Sequence, residues 1–257
     1  MSDPSAGATF WDHLDELRSR LIKMIVVVVV ATIVTFLFKE QLFAVVLAPK
    51  SADFILYRLL GIPPFSIQLI NTGLTEQFMV HMRTSMFAGL LVASPYVIYE
   101  LFRFVSPGLY ANERRYAFWI VGSAYVMFIA GLLLNYYLVF PLTVRFLGTY
   151  QVSTDVSNML TVQSYIDTLI GMSFVMGVLF ELPILCWLLS RVGIINASMM
   201  SQYRRHAIVA ILVLAAIVTP TTDVFTLFVV SFPIWLLYEI SILIVKRPLW
   251  RKSNGQK

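Results

Sequence analysis

The stretch IKMIVVVVVATIVTFLF, Ile22 to Phe38, decides the fold, because Lys23 is its only charged residue. Seventeen residues at 1.5 Å rise span about 26 Å, close to the ~30 Å of a bilayer's hydrocarbon core. Five further apolar runs follow: Phe78 to Phe102, Tyr116 to Val139, Leu169 to Leu189, Ala207 to Val218 and Val224 to Val245. Across the 257 residues, 59% are hydrophobic and 13% charged, and the mean hydropathy is +0.80. Such a composition excludes a soluble globular domain and indicates an all-α, polytopic integral membrane protein, a single transmembrane domain over residues 1–257.

Charge placement sets the expected topology. Arg18, Arg20 and Lys23 precede the first run, Arg103, Arg114 and Arg115 fill the second loop, and Arg191, Arg204 and Arg205 fill the fourth. The tail adds Lys246, Arg247, Arg251, Lys252 and Lys257, whereas the alternate loops hold only Lys39, Lys50, Arg58 and Arg145. The positive-inside rule then puts both termini in the cytoplasm and requires an even number of crossings. Six are expected, including the fifth run, whose twelve residues reach only about 18 Å. A short fifth helix implies local thinning of the bilayer or shielding by a partner helix.

The pI near 9.3 belongs to this topology signal. The basic residues form short clusters between apolar runs and no continuous patch, so no nucleic-acid partner is expected. Cys186 is the single cysteine and allows no internal disulfide. FWDHLDELRSRL, ahead of the first run, carries three acids and does not read as a cleavable signal peptide, so the N-terminus is expected to be retained. Its Phe10, Leu14, Leu17 and Leu21 recur at helical spacing opposite Asp12, Asp15, Glu16 and Arg20, the pattern of an amphipathic lead-in helix. His13 and Glu16 share a face, but no second His–acid pair completes a metal site, and neither metal nor cofactor is expected.

Two acids stand out. Glu113 lies in FVSPGLYANERR, Phe104 to Arg115, a short loop where Pro107 and Gly108 turn the chain beside two arginines. Glu181 lies in VLFELPIL, mid-helix in the fourth run, where an ionised acid costs about 2.5–3.5 kcal/mol on insertion scales. Pro183 frees a backbone carbonyl one turn back and offers Glu181 a polar neighbourhood. A packing role, with a protonated acid bonding a neighbouring helix, is the competing reading for Glu181. No nucleophile–base pair, glycine-rich phosphate loop or CxxC is present, so catalysis is not expected.

Taken in order, HLDELRSRL, ASPYVIYELFRFVSPGLYANERR, YYLVFPL, FELP and TPTTDVFT resemble the TatC family of twin-arginine translocase subunits over most of the chain. The resemblance implies a receptor that binds twin-arginine signal peptides of folded cargo. With single-span TatA- and TatB-type partners in an oligomeric complex, it would support export across the bacterial inner membrane, driven by the proton-motive force. By motif, the resemblance gives Glu16, Arg18, Phe104 and Glu113 to signal-peptide binding and makes Glu181 the intramembrane acid. It gives Thr219 and Asp223 to partner docking, and Pro49 and Pro141 to outer-loop structure. It also implies short fifth and sixth helices.

Three positions depart from the family's pattern. Glu100 stands where Gln is common, and it either adds to the receptor's charge or, the favoured reading, pairs locally with Arg103 at i, i+3. Leu227 replaces a frequent Gln, and TPTTD is one residue longer than the compact form of that turn. The receptor reading has physical support in that a carboxylate accepts a guanidinium through two parallel hydrogen bonds, which Lys cannot offer. A proton-coupled solute transporter using Glu181 and Glu239, or a structural scaffold, would share the six helices but would leave the two motif acids unexplained.

Overall fold

The computed structural model describes residues 10–63, 65, 67–105, 117–151, 153, 159–219 and 223–246. Helix α1 runs Phe10–Leu37, so the amphipathic lead-in and the first apolar run form one unbroken helix. A short α2, Lys39–Val46, a 3-10 turn at Ala48–Lys50, α3 at Ile55–Leu59 and strand β1 at Leu69–Ile70 lead into α4, Glu76–Val105. Helix α5, Ala117–Leu134, continues through a π-helical turn, Asn135–Val139, into α6, Phe140–Thr149. The third apolar run thus extends past Pro141, which sits in the first turn of α6, where its missing N–H is least needed. Strand β2, Leu160–Thr161, precedes α7, Val162–Leu179, and α8, Leu182–Arg191. Helix α7 starts before the apolar run does, because Thr161 caps it by accepting from the Ser164 N–H at 3.1 Å. Helices α9, Ala197–Gln202, α10, Arg204–Val218, and α11, Val224–Lys246, complete the described chain.

Five segments among the described residues are long and apolar enough to cross a bilayer: Leu14–Leu37, Glu76–Phe104, Ile120–Thr149, Val162–Arg191 and Val224–Lys246. Helix α10 has 15 residues and reaches about 22 Å. The chain groups into two compact units, residues 1–43 with 81–125, and residues 44–80 with 126–257.

The first unit is organised by an antiparallel seam between α1 and α4. Successive contacts advance along α1 as they run back along α4: Arg20 meets Glu100, Thr32 meets Gly89, Thr35 meets Ser85 and Phe36 meets His81. Small residues make the approach close. Ser85, Gly89 and Ala93 follow one another at i, i+4 on α4, and the Thr35 hydroxyl donates to the Ser85 carbonyl at 2.8 Å. Phe36 stacks on the buried His81 ring at 4.0 Å and 15°.

In the second unit the segments between α1 and α4 and between α6 and α7 are tied together. Leu69 and Ile70 pair in parallel with Leu160 and Thr161. The Glu76 carboxylate accepts from the Thr72 and Gly73 N–H groups at 2.8 and 2.9 Å and, through its other oxygen, from the Gln163 N–H at 3.2 Å. One side chain thus satisfies donors on both segments, among them one of the unpaired N–H groups in the first turn of α7. The Tyr57 hydroxyl, 1% exposed, lies 3.0 Å from the Pro49 carbonyl and 2.8 Å from that of Pro141 and donates to this pair of acceptors. Burial pushes the Tyr57 hydroxyl pKa up, which keeps it a donor. Val139, Phe140, Ile166, Met176 and Ile234 are among the fully buried side chains of this unit. Helix α11 packs against α8 and α10.

Candidate functional site

Near the start of α1, Glu16 and Arg20 lie one helical turn apart, the spacing at which a carboxylate and a guanidinium meet on one face. Arg20 turns its Nε to Glu16 Oε1 at 3.1 Å, and its Nη2 bonds the same oxygen. Its remaining edge reaches across the seam, where Nη1 donates to Glu100 Oε2 at 2.8 Å. Side-chain exposure is graded across the three: 6% for Glu100, 11% for Arg20 and 41% for Glu16. Two carboxylates share one guanidinium, and the wettest of the three side chains is Glu16.

Glu100 takes an ion pair from Arg20, a partner that the i, i+3 spacing to Arg103 did not point to. The antiparallel seam delivers the Arg20 guanidinium to Glu100, a contact between segments 80 residues apart. Arg20 had read as a topology charge and a polar-face residue. Its i, i+4 spacing from Glu16 was the available sign of a pair.

The other expected peptide-binding residues are placed as follows. Arg18 is exposed on α1, and Phe104 is half-buried one turn beyond Glu100 on α4. Glu113 lies outside the described residues, so its position relative to Glu16 is not part of this geometry.

In the second unit Glu181 stands at the break between α7 and α8. The break follows from Pro183 in the first turn of α8, and Ile184 and Leu185 donate to the Glu181 carbonyl at 3.0 and 2.9 Å. Glu181 Oε1 is shielded and meets no hydrogen-bond donor among the described residues. Thr219 is buried at the end of α10 and donates through Oγ1 to the Ala215 carbonyl at 3.0 Å. Asp223 Oδ1 accepts from the Thr226 N–H at 2.8 Å and so caps the start of α11. Glu239 accepts from Arg204 Nη2 at 2.9 Å, an ion pair between α10 and α11. Pro49 and Pro141 both present their carbonyls to Tyr57, a residue the sequence reading had passed over. Glu76 was passed over as well, although an acid in the first turn of a helix after Thr-Gly was a visible capping signal. Among the described residues no cluster of His, Cys, Asp and Glu has the composition of a metal site.

Comparison with known proteins gives a consistent result. Residues 12–233 match the TatC family, described as Sec-independent protein translocase protein (TatC). A protein of that name from Deinococcus radiodurans is 36% identical over 239 residues, covering 93% of this chain and 86% of the relative. Another, from Koribacter versatilis, is 35% identical over 236 residues, covering 92% and 84%. A crystal structure described as the twin arginine translocase receptor TatC, in DDM, superposes with a TM-score of 0.77 at 30% identity, covering 91% of this chain and 100% of the solved one.

Proposed function

This chain belongs to the TatC family of Sec-independent protein translocase proteins, and on that premise we propose that it is the receptor for twin-arginine signal peptides. As a family member it is a non-enzymatic, multi-pass inner-membrane component of the Tat protein translocation machinery. In this reading six helices cross the membrane, both termini are cytoplasmic, and the Glu16 end of α1 faces the cytoplasm with Arg18, Phe104 and Glu113.

The observation that carries the proposal is the acid-rich Glu16–Arg20–Glu100 group, in which the most exposed member is a carboxylate already posed for a guanidinium. A charge-assisted hydrogen bond contributes about 1.5–3 kcal/mol, so one from each of two arginines, to Glu16 and Glu113, supplies about 3–6 kcal/mol of the roughly 8 kcal/mol of a micromolar affinity. Folded cargo then moves with TatA- and TatB-type partners, driven by the proton-motive force, and Thr219 and Asp223 mark where the partner helices dock. Glu181 serves transport after binding, and Pro49 and Pro141 shape the outer loops. Crosslinking of a photoreactive Arg-Arg signal peptide to Glu16→Gln and Glu113→Gln variants in native membranes tests the receptor assignment. Loss of crosslinking in either supports it, and unchanged crosslinking in both contradicts it.

A further inference from the structure

We propose that Arg20 is a resident guanidinium that occupies the Glu16 carboxylate at rest. In this scheme Glu100 is the anchor that retains Arg20 when an arriving arginine takes Glu16. The proposal deepens the receptor reading of this site and rests on it.

Three features of the group support an exchange. Arg20 addresses its two acceptors through different edges, Nε and Nη2 to Glu16 and Nη1 to Glu100, so one can be released while the other is kept. Burial is unequal: the Glu100 side chain is 6% exposed and sits at the α1–α4 seam, whereas Glu16 is 41% exposed. The Glu100 bond is therefore the fixed end and the Glu16 bond the end open to competition, since water and an incoming donor reach only the latter easily. Charge points the same way. Counted over these three side chains, an arriving arginine with Glu100 present makes two guanidiniums for two carboxylates. With Glu100 neutralised the same arrival sets two guanidiniums against one carboxylate, which is unfavourable. Arg20 is a positioning residue in this scheme, because it sets how readily Glu16 accepts and does not itself touch the peptide.

The exchange predicts an inversion that a purely structural role does not. Glu100→Gln leaves Arg20 with Glu16 alone, tightens the internal pair and weakens binding. Adding Arg20→Gln then removes the competitor and restores it. If Arg20 only braced the site, the second substitution would weaken binding further.

The test uses the full chain in lipid nanodiscs and a fluorescent synthetic signal peptide carrying Arg-Arg, with affinity read by anisotropy. Glu100→Gln is expected to raise Kd about tenfold, equivalent to 1.4 kcal/mol. The Arg20→Gln, Glu100→Gln double variant is expected to return to within about threefold of the unaltered chain, or to bind more tightly. It replaces both buried partners with neutral amides, so no uncompensated buried charge remains to unfold it. Adding Glu16→Gln to the double variant is expected to abolish the recovered binding. An unchanged Kd in Glu100→Gln, or a double variant as weak as Glu100→Gln, overturns the exchange while Glu16→Gln still weakens the unaltered chain. If Glu16→Gln has no effect in either background the exchange fails, and the receptor reading fails with it when Glu113→Gln is equally without effect.

Discussion

Replacing Gly89 with alanine tests whether the α1–α4 seam is held by close backbone approach. A Cβ built on Gly89 would stand 2.5 Å from both the Thr32 backbone nitrogen and its Oγ1, and 2.6 Å from its Cα. Non-bonded carbon contacts settle at about 3.5–4.0 Å, so the helices must part locally by about 1 Å. Backbone atoms are the obstacle, and no change of rotamer relieves them. The same displacement stretches the 2.8 Å bond from Thr35 to the Ser85 carbonyl beyond hydrogen-bond range. Overpacking costs about 1–3 kcal/mol and an interhelical bond in a membrane about 0.6 kcal/mol, giving about 2–4 kcal/mol together. At about 2–4 °C per kcal/mol for a chain of this size, Tm should fall by roughly 4–16 °C. Thermal unfolding of purified protein in detergent, followed by tryptophan fluorescence, reads the shift. Gly122→Ala is the control, since nothing lies within 4 Å of its built Cβ, and alanine there is expected to leave Tm unchanged or raise it slightly. Equal Tm values for the two variants would refute the close-approach account of the seam.

Tyr57→Phe removes the donor that serves the Pro49 and Pro141 carbonyls and should destabilise the protein by about 1–3 kcal/mol, measured as a fall in Tm in detergent; an unshifted Tm would mean the hydroxyl ties nothing. Glu76→Gln halves the carboxylate's acceptor capacity, so hydrogen exchange at the Thr72, Gly73 and Gln163 amides should quicken while the seam amides of α4 stay protected. Uniform quickening across α4 would show a global effect and not a local cap. Glu181→Ala should leave Arg-Arg peptide binding within about twofold and reduce export of a folded reporter in cells; failure of the variant to assemble in the membrane would favour a packing role for this acid.

The membrane class was legible from Ile22 to Phe38 and the runs beyond it, because length and hydropathy are local properties and the bilayer imposes a fixed thickness on them. Helix limits were less legible. The start of α7 depends on the Thr161 cap, and the extension of α5 into α6 depends on a π-turn that lets Pro141 begin a new helical turn. Glu113 and Glu181 were visible as acids out of place, whereas Glu16 read as part of a polar helix face and drew attention only through the family resemblance. Arg20 and Glu100 were not visible as partners, because the contact is made by a seam whose register only the folded helices reveal. Its sequence trace is the small-residue stripe Ser85, Gly89 and Ala93, which marks a close helix contact without saying which helix supplies it. Tyr57 was hidden for the same reason, since its two acceptors are 8 and 84 residues away.

The central claim is that a carboxylate at the start of α1 receives another protein's arginine. Its most direct test is co-purification of the membrane-embedded chain with an Arg-Arg signal peptide and, in parallel, with the same peptide carrying Lys-Lys. The two peptides have equal charge and differ in the paired donors that a carboxylate can accept. Strong retention of the Arg-Arg peptide, at least about tenfold above the Lys-Lys form and lost in Glu16→Gln, is the predicted result. Equal retention of the two peptides would contradict it.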